Sequence, residues 1–397
     1  MKKSTCLVTF LLCLLYIKVA SQNNDSSQYK FSSDIYENIK KDSNYWRGGV
    51  TSSDLSFIGL YKEALIEYDK PRDDKKTISK SDSISFITKY HPADARKFII
   101  GKAKENQIIV FNEAHFNPRN RVFVSSLLKD LKAVGYKYFA AETFLNDSSF
   151  AKSHHPSFST GFYSMEPQFG NLIREAIKQN FLLYPYEDTL GTNGKEREIG
   201  EAKNLQSLLK KDPHAKIIVY CGFDHIFEDT VPGWGKAMAG RLKDFTGIDP
   251  YTIDQIVLSE RSKKDLESPY FRMTHSDKYS ILTDKDDKPF NNKKVDVLLY
   301  SPRTKYIYGR PDWIFENRKF SYFLSPKEIT ISFPIIAQAY METDEIGKAI
   351  PIDIIEIKTK PATSRTAIAL YSNGSFKIKL ISRDGKTQII TVNNNHS

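Results

Sequence analysis

The sequence predicts an α/β protein: a parallel sheet flanked by helices, followed by a mostly β C-terminal module. Two observations in the middle of the chain predict the first part. Short continuous apolar runs of four to six residues alternate with longer amphipathic stretches, and strands buried on both faces of a parallel sheet read as such runs. A third observation predicts the module: after about residue 260 the amphipathic stretches give way to short strand-like runs separated by turn signals.

The elements follow in order. Lys2 and Lys3 precede an apolar stretch, Thr9–Ile17, and the small residues Val19-Ala20-Ser21. This is the pattern of a cleaved signal peptide over residues 1–21, too short for a retained span. The mature chain is therefore expected to be exported, either secreted or placed in the periplasm or cell envelope, with no membrane span. Residues 22–95 read as a polar lead-in and a helical preface. The α/β domain is assigned to residues 96–260 and the β module to 261–397.

Within the α/β domain, Gln107–Phe111 (QIIVF) reads as a strand and Val122–Val134 as a helix closed by Gly135. Tyr138–Ala141 is the next strand and Asn171–Lys178 a helix. Phe181–Tyr186 is a strand that Pro185 either ends or places at an edge. Arg197–Lys211 is a helix, Lys216–Cys221 a strand and Trp234–Phe245 a helix. In the module, Val295–Tyr300, Ile329–Phe333, Ile352–Ile357, Ala367–Leu370, Ser375–Ile381 and Gln388–Val392 read as strands, with hairpin turns at Asn373-Gly374 and Asp384-Gly385.

Composition excludes some functions. The formal charge of +10 falls to about +7 once Lys2, Lys3 and Lys18 leave with the signal. The remaining excess is dispersed among many acids, with no basic stripe interleaved with aromatics, so nucleic-acid binding is not expected. Cys6 and Cys13 also leave, and Cys221 alone cannot form an internal disulfide.

The candidate site comes from strand position, since open parallel sheets bind ligands beyond the carboxyl ends of their strands. QIIVF runs into Asn112-Glu113-Ala114-His115, and YFAA runs into Glu142-Thr143. FLLYPY runs into Glu187-Asp188, and KIIVYC runs into Gly222-Phe223-Asp224-His225. Every exit delivers a carboxylate and two deliver a histidine. Such a group can hold a divalent cation or form a general acid/base pair. Arg119 and Arg121 follow His115 closely, with Arg119 a candidate for holding an anionic group. Tyr163, Arg197 and Glu187 complete the substrate-binding candidates. The His154-His155 pair sits in a Ser-rich loop read as a lid.

At these residues the chain resembles the superfamily that joins erythromycin esterases, Tiki-type metalloproteases and ChaN haem-binding lipoproteins. Asn112-Glu113-Ala114-His115 and Gly222-Phe223-Asp224-His225 are similar to its two G-x-x-H motifs, and Glu142 falls where its second glutamate belongs. Asn112 departs from the pattern by replacing the first glycine. The resemblance covers roughly residues 105–260. It implies an exported hydrolase, esterase or metallo-peptidase-like, that cleaves an ester or amide bond of a small molecule or peptide with activated water. His115 would be the general base or a metal ligand, His225 the second ligand or an electrophile, and Glu113 and Glu142 would orient them. All four would form the ligand set if a divalent metal binds. Two alternatives stand beside it: a haem- or iron-binding envelope protein, and a catalytically dead envelope protein whose β module binds a glycan or other envelope partner.

Overall fold

The computed structural model describes residues 29–41, 47–145, 155–317 and 319–394. The expected signal peptide and His154 lie outside these residues.

The central sheet has eight strands: β1 (His91–Asp94), β2 (Ile108–Glu113), β3 (Tyr136–Ala141), β4 (Leu182–Pro185), β5 (Lys216–Gly222), β8 (Tyr251–Asp254), β9 (Ser280–Thr283) and β10 (Val297–Tyr300), where the two-residue strands β6 (Thr230–Val231) and β7 (Gly235–Lys236) form a separate ribbon. Their order is β1-β9-β10-β8-β2-β5-β3-β4. The run from β10 to β4 is parallel throughout, and only the β9 pairings are antiparallel. The β2, β3 and β5 runs are apolar because both faces are covered. One face packs against the helices Ala95–Glu105, Arg119–Ala133 and Pro167–Lys178. The other packs against Gly194–Lys211, Met238–Thr246 and the Phe86 side of the Lys80–Lys89 helix. β4 is an edge strand, the one place where Pro185 costs no ladder bond. Gly135 ends its helix at φ +97°, a conformation that favours glycine.

The strand expected at Val295–Tyr300 is β10, and it pairs in parallel with β8 in the central sheet. The domain boundary drawn at residue 260 thus cuts a sheet that draws two strands from beyond it. Next along the chain, β11 (Tyr306–Ile307) and β12 (Arg310–Pro311) make a short ribbon. In the C-terminal region, β14 (Ile335–Met341), β15 (Asp353–Ile357), β17 (Gly374–Ser382) and β18 (Thr387–Asn394) form an antiparallel sheet, while β13 (Lys319–Tyr322) pairs with β16 (Ile368–Tyr371). Asp384-Gly385 makes the expected hairpin between β17 and β18. Asn373-Gly374 does not, because β16 and β17 pair in different sheets. Ile329–Phe333 forms no strand. The helix expected from Trp234 starts at Met238, with Trp234 in the turn of the β6–β7 ribbon.

The helical preface is interrupted at Pro92, which lies in β1 rather than in a helix. Its early part packs away from the α/β core. Tyr29, Ile35, Leu55 and Ile58 bury themselves with Ile336 and Ile354 of the C-terminal sheet. The Tyr61–Asp69 helix continues from there to the carboxyl edge of the central sheet, where Tyr68 stacks on Phe116 at 3.7 Å between ring centroids.

Candidate active site

The exits of β2, β3 and β5 lie side by side, because β5 pairs with both neighbours in register. Glu113 is the last residue of β2 and is 1% exposed. Arg121, wholly buried on the following helix, grips it with two bonds: Nε donates to Oε2 at 2.6 Å and Nη2 to Oε1 at 2.5 Å. The Tyr220 hydroxyl donates to Oε2 at 2.8 Å. Burial alone would raise the Glu113 carboxyl, but Arg121 and His115 outweigh it and hold its pKa down to about 2. Glu113 is therefore a carboxylate and can only accept. His115 Nδ1, 3.0 Å from Glu113 Oε1, carries the proton of that bond. Its Nε2 is left as the basic nitrogen.

Aromatic rings fix the His115 imidazole. Tyr163 stacks on it with centroids 3.6 Å apart and planes 12° from parallel, and Phe223 meets it edge to face at 5.1 Å. Gly222 lies beneath. A Cβ built there would collide with His115 Cε1 and Nε2, and would stand 3.1 Å from Glu142 Oε2. His115 Nε2 and Glu142 thus share the space over one glycine. A hollow of about 10 Å³ opens there, lined by Glu113, His115, Glu142, Thr143, Tyr163, Tyr220 and Gly222 among others. It is about the size of one water.

Glu142 belongs to a second network. Its Oε2 accepts from Gly222 N–H at 2.5 Å and its Oε1 from Arg197 Nη2 at 2.5 Å. Burial raises this carboxyl, yet Arg197 and the two histidines hold it well below the carboxylate range. Arg197, on the Gly194–Lys211 helix, also binds both oxygens of Glu187 at 2.8 and 2.6 Å and contacts Glu201 at 3.0 Å. Its Nη1 lies 2.7 Å from His225 Nε2. A guanidinium only donates, so Nε2 accepts and His225 carries its proton on Nδ1, 2.7 Å from Glu198. Burial disfavours a second proton on His225; Glu198 and Glu142 favour it and leave the pKa above the ordinary imidazole value. That proton would have to break the Arg197 contact. Burial and the neighbouring carboxylates push the Glu201 carboxyl well up, against the pull of Arg197.

The structure therefore brings together Glu113, His115, Glu142 and Tyr163, and sets His225, Arg197 and Glu187 immediately behind Glu142. Arg119 lies elsewhere. Its Nε donates to the Tyr279 hydroxyl at 3.1 Å and its Nη1 to the Pro302 carbonyl, beside a separate cavity of about 250 Å³. Two positions along the helix turn Arg119 away from the site and Arg121 into it. Cys221 is a buried thiol 3.6 Å from the Phe111 carbonyl. Burial, chiefly, raises its pKa well above the usual value, so it is an inert core residue. His155 contacts its neighbouring Pro156 carbonyl.

Several site residues carry no sequence signal of their own. Tyr220 alternates inward within β5 and reads as core. Glu166 caps the Pro167–Lys178 helix and accepts from Arg121 at 3.0 Å and from the Tyr61 hydroxyl at 3.0 Å. Glu198 and Glu201 are legible only as helix charges. Their spacing from Arg197, one and four positions on, does place all three on one side of the helix.

As a four-ligand set, Glu113, His115, Glu142 and His225 do not fit one cation. Arg121 occupies both oxygens of Glu113, Arg197 and Gly222 occupy Glu142, and Arg197 faces His225 Nε2. Donor atoms do converge in two other groups among the described residues, Glu198–Glu201–His225 and Glu142–Glu187–Glu201. Arg197 borders both, while Glu198 Oε1, both Glu201 carboxylate oxygens and His225 Nδ1 are buried without a hydrogen-bond partner. Haem does not fit either, because a one-water hollow cannot admit a macrocycle between His115 and Tyr163.

No family model and no curated protein matches this chain. Among solved structures, the type III effector HopBA1 is similar over 54% of this chain and 96% of its own, with 11% identity and a TM-score of 0.36. RRSP, a MARTX toxin effector domain from Vibrio vulnificus, is similar over 51% of this chain and 45% of its own, with 12% identity and a TM-score of 0.28. Likeness at this level does not bear on function.

Proposed function

We propose that the protein is an exported hydrolase that cleaves an ester or amide bond with water activated by His115. One observation carries the reading: an imidazole tied at Nδ1 to a carboxylate, with Nε2 over Gly222 beside a water-sized hollow. A water held there loses a proton to Nε2 as its oxygen attacks the carbonyl carbon. Glu113 fixes the tautomer and stabilises the imidazolium, as the carboxylate of a triad does. Glu142, across Gly222, adds a second negative charge. The imidazolium then returns the proton to the leaving alkoxide or amine. Arg121 keeps Glu113 ionised and oriented throughout. His225 acts at one remove, by holding Arg197 against Glu142. The scheme uses no metal: Arg121 and Arg197 occupy the Glu113 and Glu142 carboxylates.

The test is turnover of a panel of activated esters and of peptides in ¹⁸O-labelled water. One label should enter each acid product. His115→Ala should lower kcat by about 10²–10⁴-fold, the usual worth of a general base, with an unchanged circular-dichroism spectrum. Wild-type turnover in a folded His115→Ala protein would overturn the assignment, as would product without label.

A further inference from the structure

The two strand-exit motifs are braced to each other at a strained residue. Phe223 follows β5 with φ at +39°, in the left-handed region that a bulky side chain rarely adopts. Such a conformation is costly and persists only where the surroundings over-determine it. Here they do. The Phe223 carbonyl accepts from Asn112 Nδ2 at 2.9 Å. Asn112, 1% exposed, is itself fixed on every side. Its Nδ2 also donates to Asp254 Oδ2 at 2.9 Å, and its Oδ1 accepts from Gln255 N–H at 2.8 Å. Its carbonyl accepts from Gln255 Nε2 at 2.6 Å. On the ring side, Phe223 lies in an aromatic row with Phe116 and Tyr68, at 6.4 and 6.1 Å between centroids.

The strain has a direction. It turns the Phe223 ring back over the exit of β2, where it meets the His115 imidazole on a side not taken by Tyr163. With glycine at Phe223, the backbone would relax and no ring would reach His115. With glycine at Asn112, the side-chain bond to the Phe223 carbonyl would be lost. The side chain that departs from the resembled motif is thus the one that bonds the strained peptide of the other motif.

We infer that Asn112 and Phe223 are a coupled pair of positioning residues: Asn112 locks the strained Phe223 backbone, and the Phe223 ring holds the His115 imidazole with Nε2 over Gly222. The catalytic consequence rests on the proposed hydrolase activity; the consequence for His115 does not.

The test therefore has two arms on the full chain, with Phe223→Gly, Phe223→Tyr, Asn112→Gly and the double variant Asn112→Gly/Phe223→Gly. In the first arm, diethyl pyrocarbonate modifies His115, with exposed His91 as internal reference. Phe223→Gly should raise the His115 rate at least about fivefold, Phe223→Tyr should leave it near wild type, and Asn112→Gly should add nothing once Phe223 is already glycine, as coupled sites do. In the second arm, Phe223→Gly should lower kcat at least about 30-fold with KM within about twofold, since the ring orients the base and does not itself bind substrate. Phe223→Tyr should restore it, and the melting temperature of Phe223→Gly should not fall by more than a few degrees, because released strain offsets lost packing. Additive effects of the two glycine substitutions, or an unchanged His115 rate in Phe223→Gly, would overturn the pairing whatever the activity. A wild type without hydrolytic turnover would sink the hydrolase reading and leave the first arm to decide this one.

Discussion

Replacing Arg121 by methionine should produce a stability loss that depends on pH in a defined direction. The wild-type side chain is fully buried among Glu113, Glu166 and the His115 carbonyl. Methionine fills much of the volume and removes the charge, leaving Glu113 buried without its cation. The shift of Glu113 from 4.5 to about 2, at about 1.4 kcal/mol per pKa unit, makes its interactions worth about 3 kcal/mol at neutral pH. That agrees with the roughly 3–5 kcal/mol typical of breaking a buried pair by removing one partner.

The sign follows from linkage. A depressed folded-state pKa gives stability that is full above the unfolded value, near 4.5, and is lost as pH falls through about 2. In the variant, burial acts unopposed by Arg121 and raises the carboxyl, so the folded state favours the protonated acid and loses stability as pH rises above the unfolded value. The gap between the two proteins should therefore be widest at neutral pH and narrower by about 2 kcal/mol or more near pH 3. Urea unfolding followed by far-ultraviolet circular dichroism at both pH values measures it. A gap equal at the two, or wider in acid, would refute the claim that Arg121 exists to keep Glu113 ionised.

Other substitutions probe the neighbouring groups. Gly222→Ala inserts a methyl into the space of the His115 imidazole; it should cost about 1–3 kcal/mol in thermal unfolding and at least about 100-fold in kcat, and a fully active variant would show that His115 does not rest on this glycine. Exhaustive chelation of the purified protein should leave hydrolysis within about twofold, and activity restored only by an added cation would mean that the arginines can be displaced from their carboxylates. In the C-terminal region, Asp353 accepts from Arg310 Nη2 and Nη1 at 2.7 and 3.1 Å and from Ala369 N–H at 2.7 Å, all buried. Asp353→Ala should therefore lower stability by about 3–5 kcal/mol, read by the same urea titration, and a neutral result would mean that the Arg310 charge finds solvent or another partner.

The parts legible in the sequence are those written in local periodicity. Apolar runs at residues 107–111, 138–141 and 216–221 mark strands because double burial leaves no polar face to alternate. Their exits mark Glu113, His115, Glu142 and His225 because a parallel arrangement brings like ends together. Periodicity carries no information on which strands join which sheet, so β10 reads as part of the module although it pairs with β8 in the central sheet. Nor does it say which of two nearby arginines points inward: Arg119 and Arg121 differ only in helical phase, which depends on where the helix starts. The Asn112 departure reads as a blemish because its meaning lies in Phe223, 111 positions away along the chain.

Two histidines in similar motifs at neighbouring strand ends have opposite fates, and the difference fixes which one can act. Each strand-end glutamate has its own buried arginine, Arg121 for Glu113 and Arg197 for Glu142. Each arginine comes from a helix on a different face of the sheet, so the two pairs do not compete. Arg121 binds Glu113 and the His115 carbonyl, leaving His115 Nε2 beside the hollow, with 14% of the side chain exposed. Arg197 reaches past Glu142 to His225 and takes its Nε2, while Glu198 faces Nδ1 and Trp234 stacks on the ring. A histidine whose Nε2 already accepts from a guanidinium cannot take a proton from water there without breaking that contact. In the proposed mechanism His115 cycles through an imidazolium, and the two carboxylates, Glu113 and Glu142, are placed to stabilise that charge.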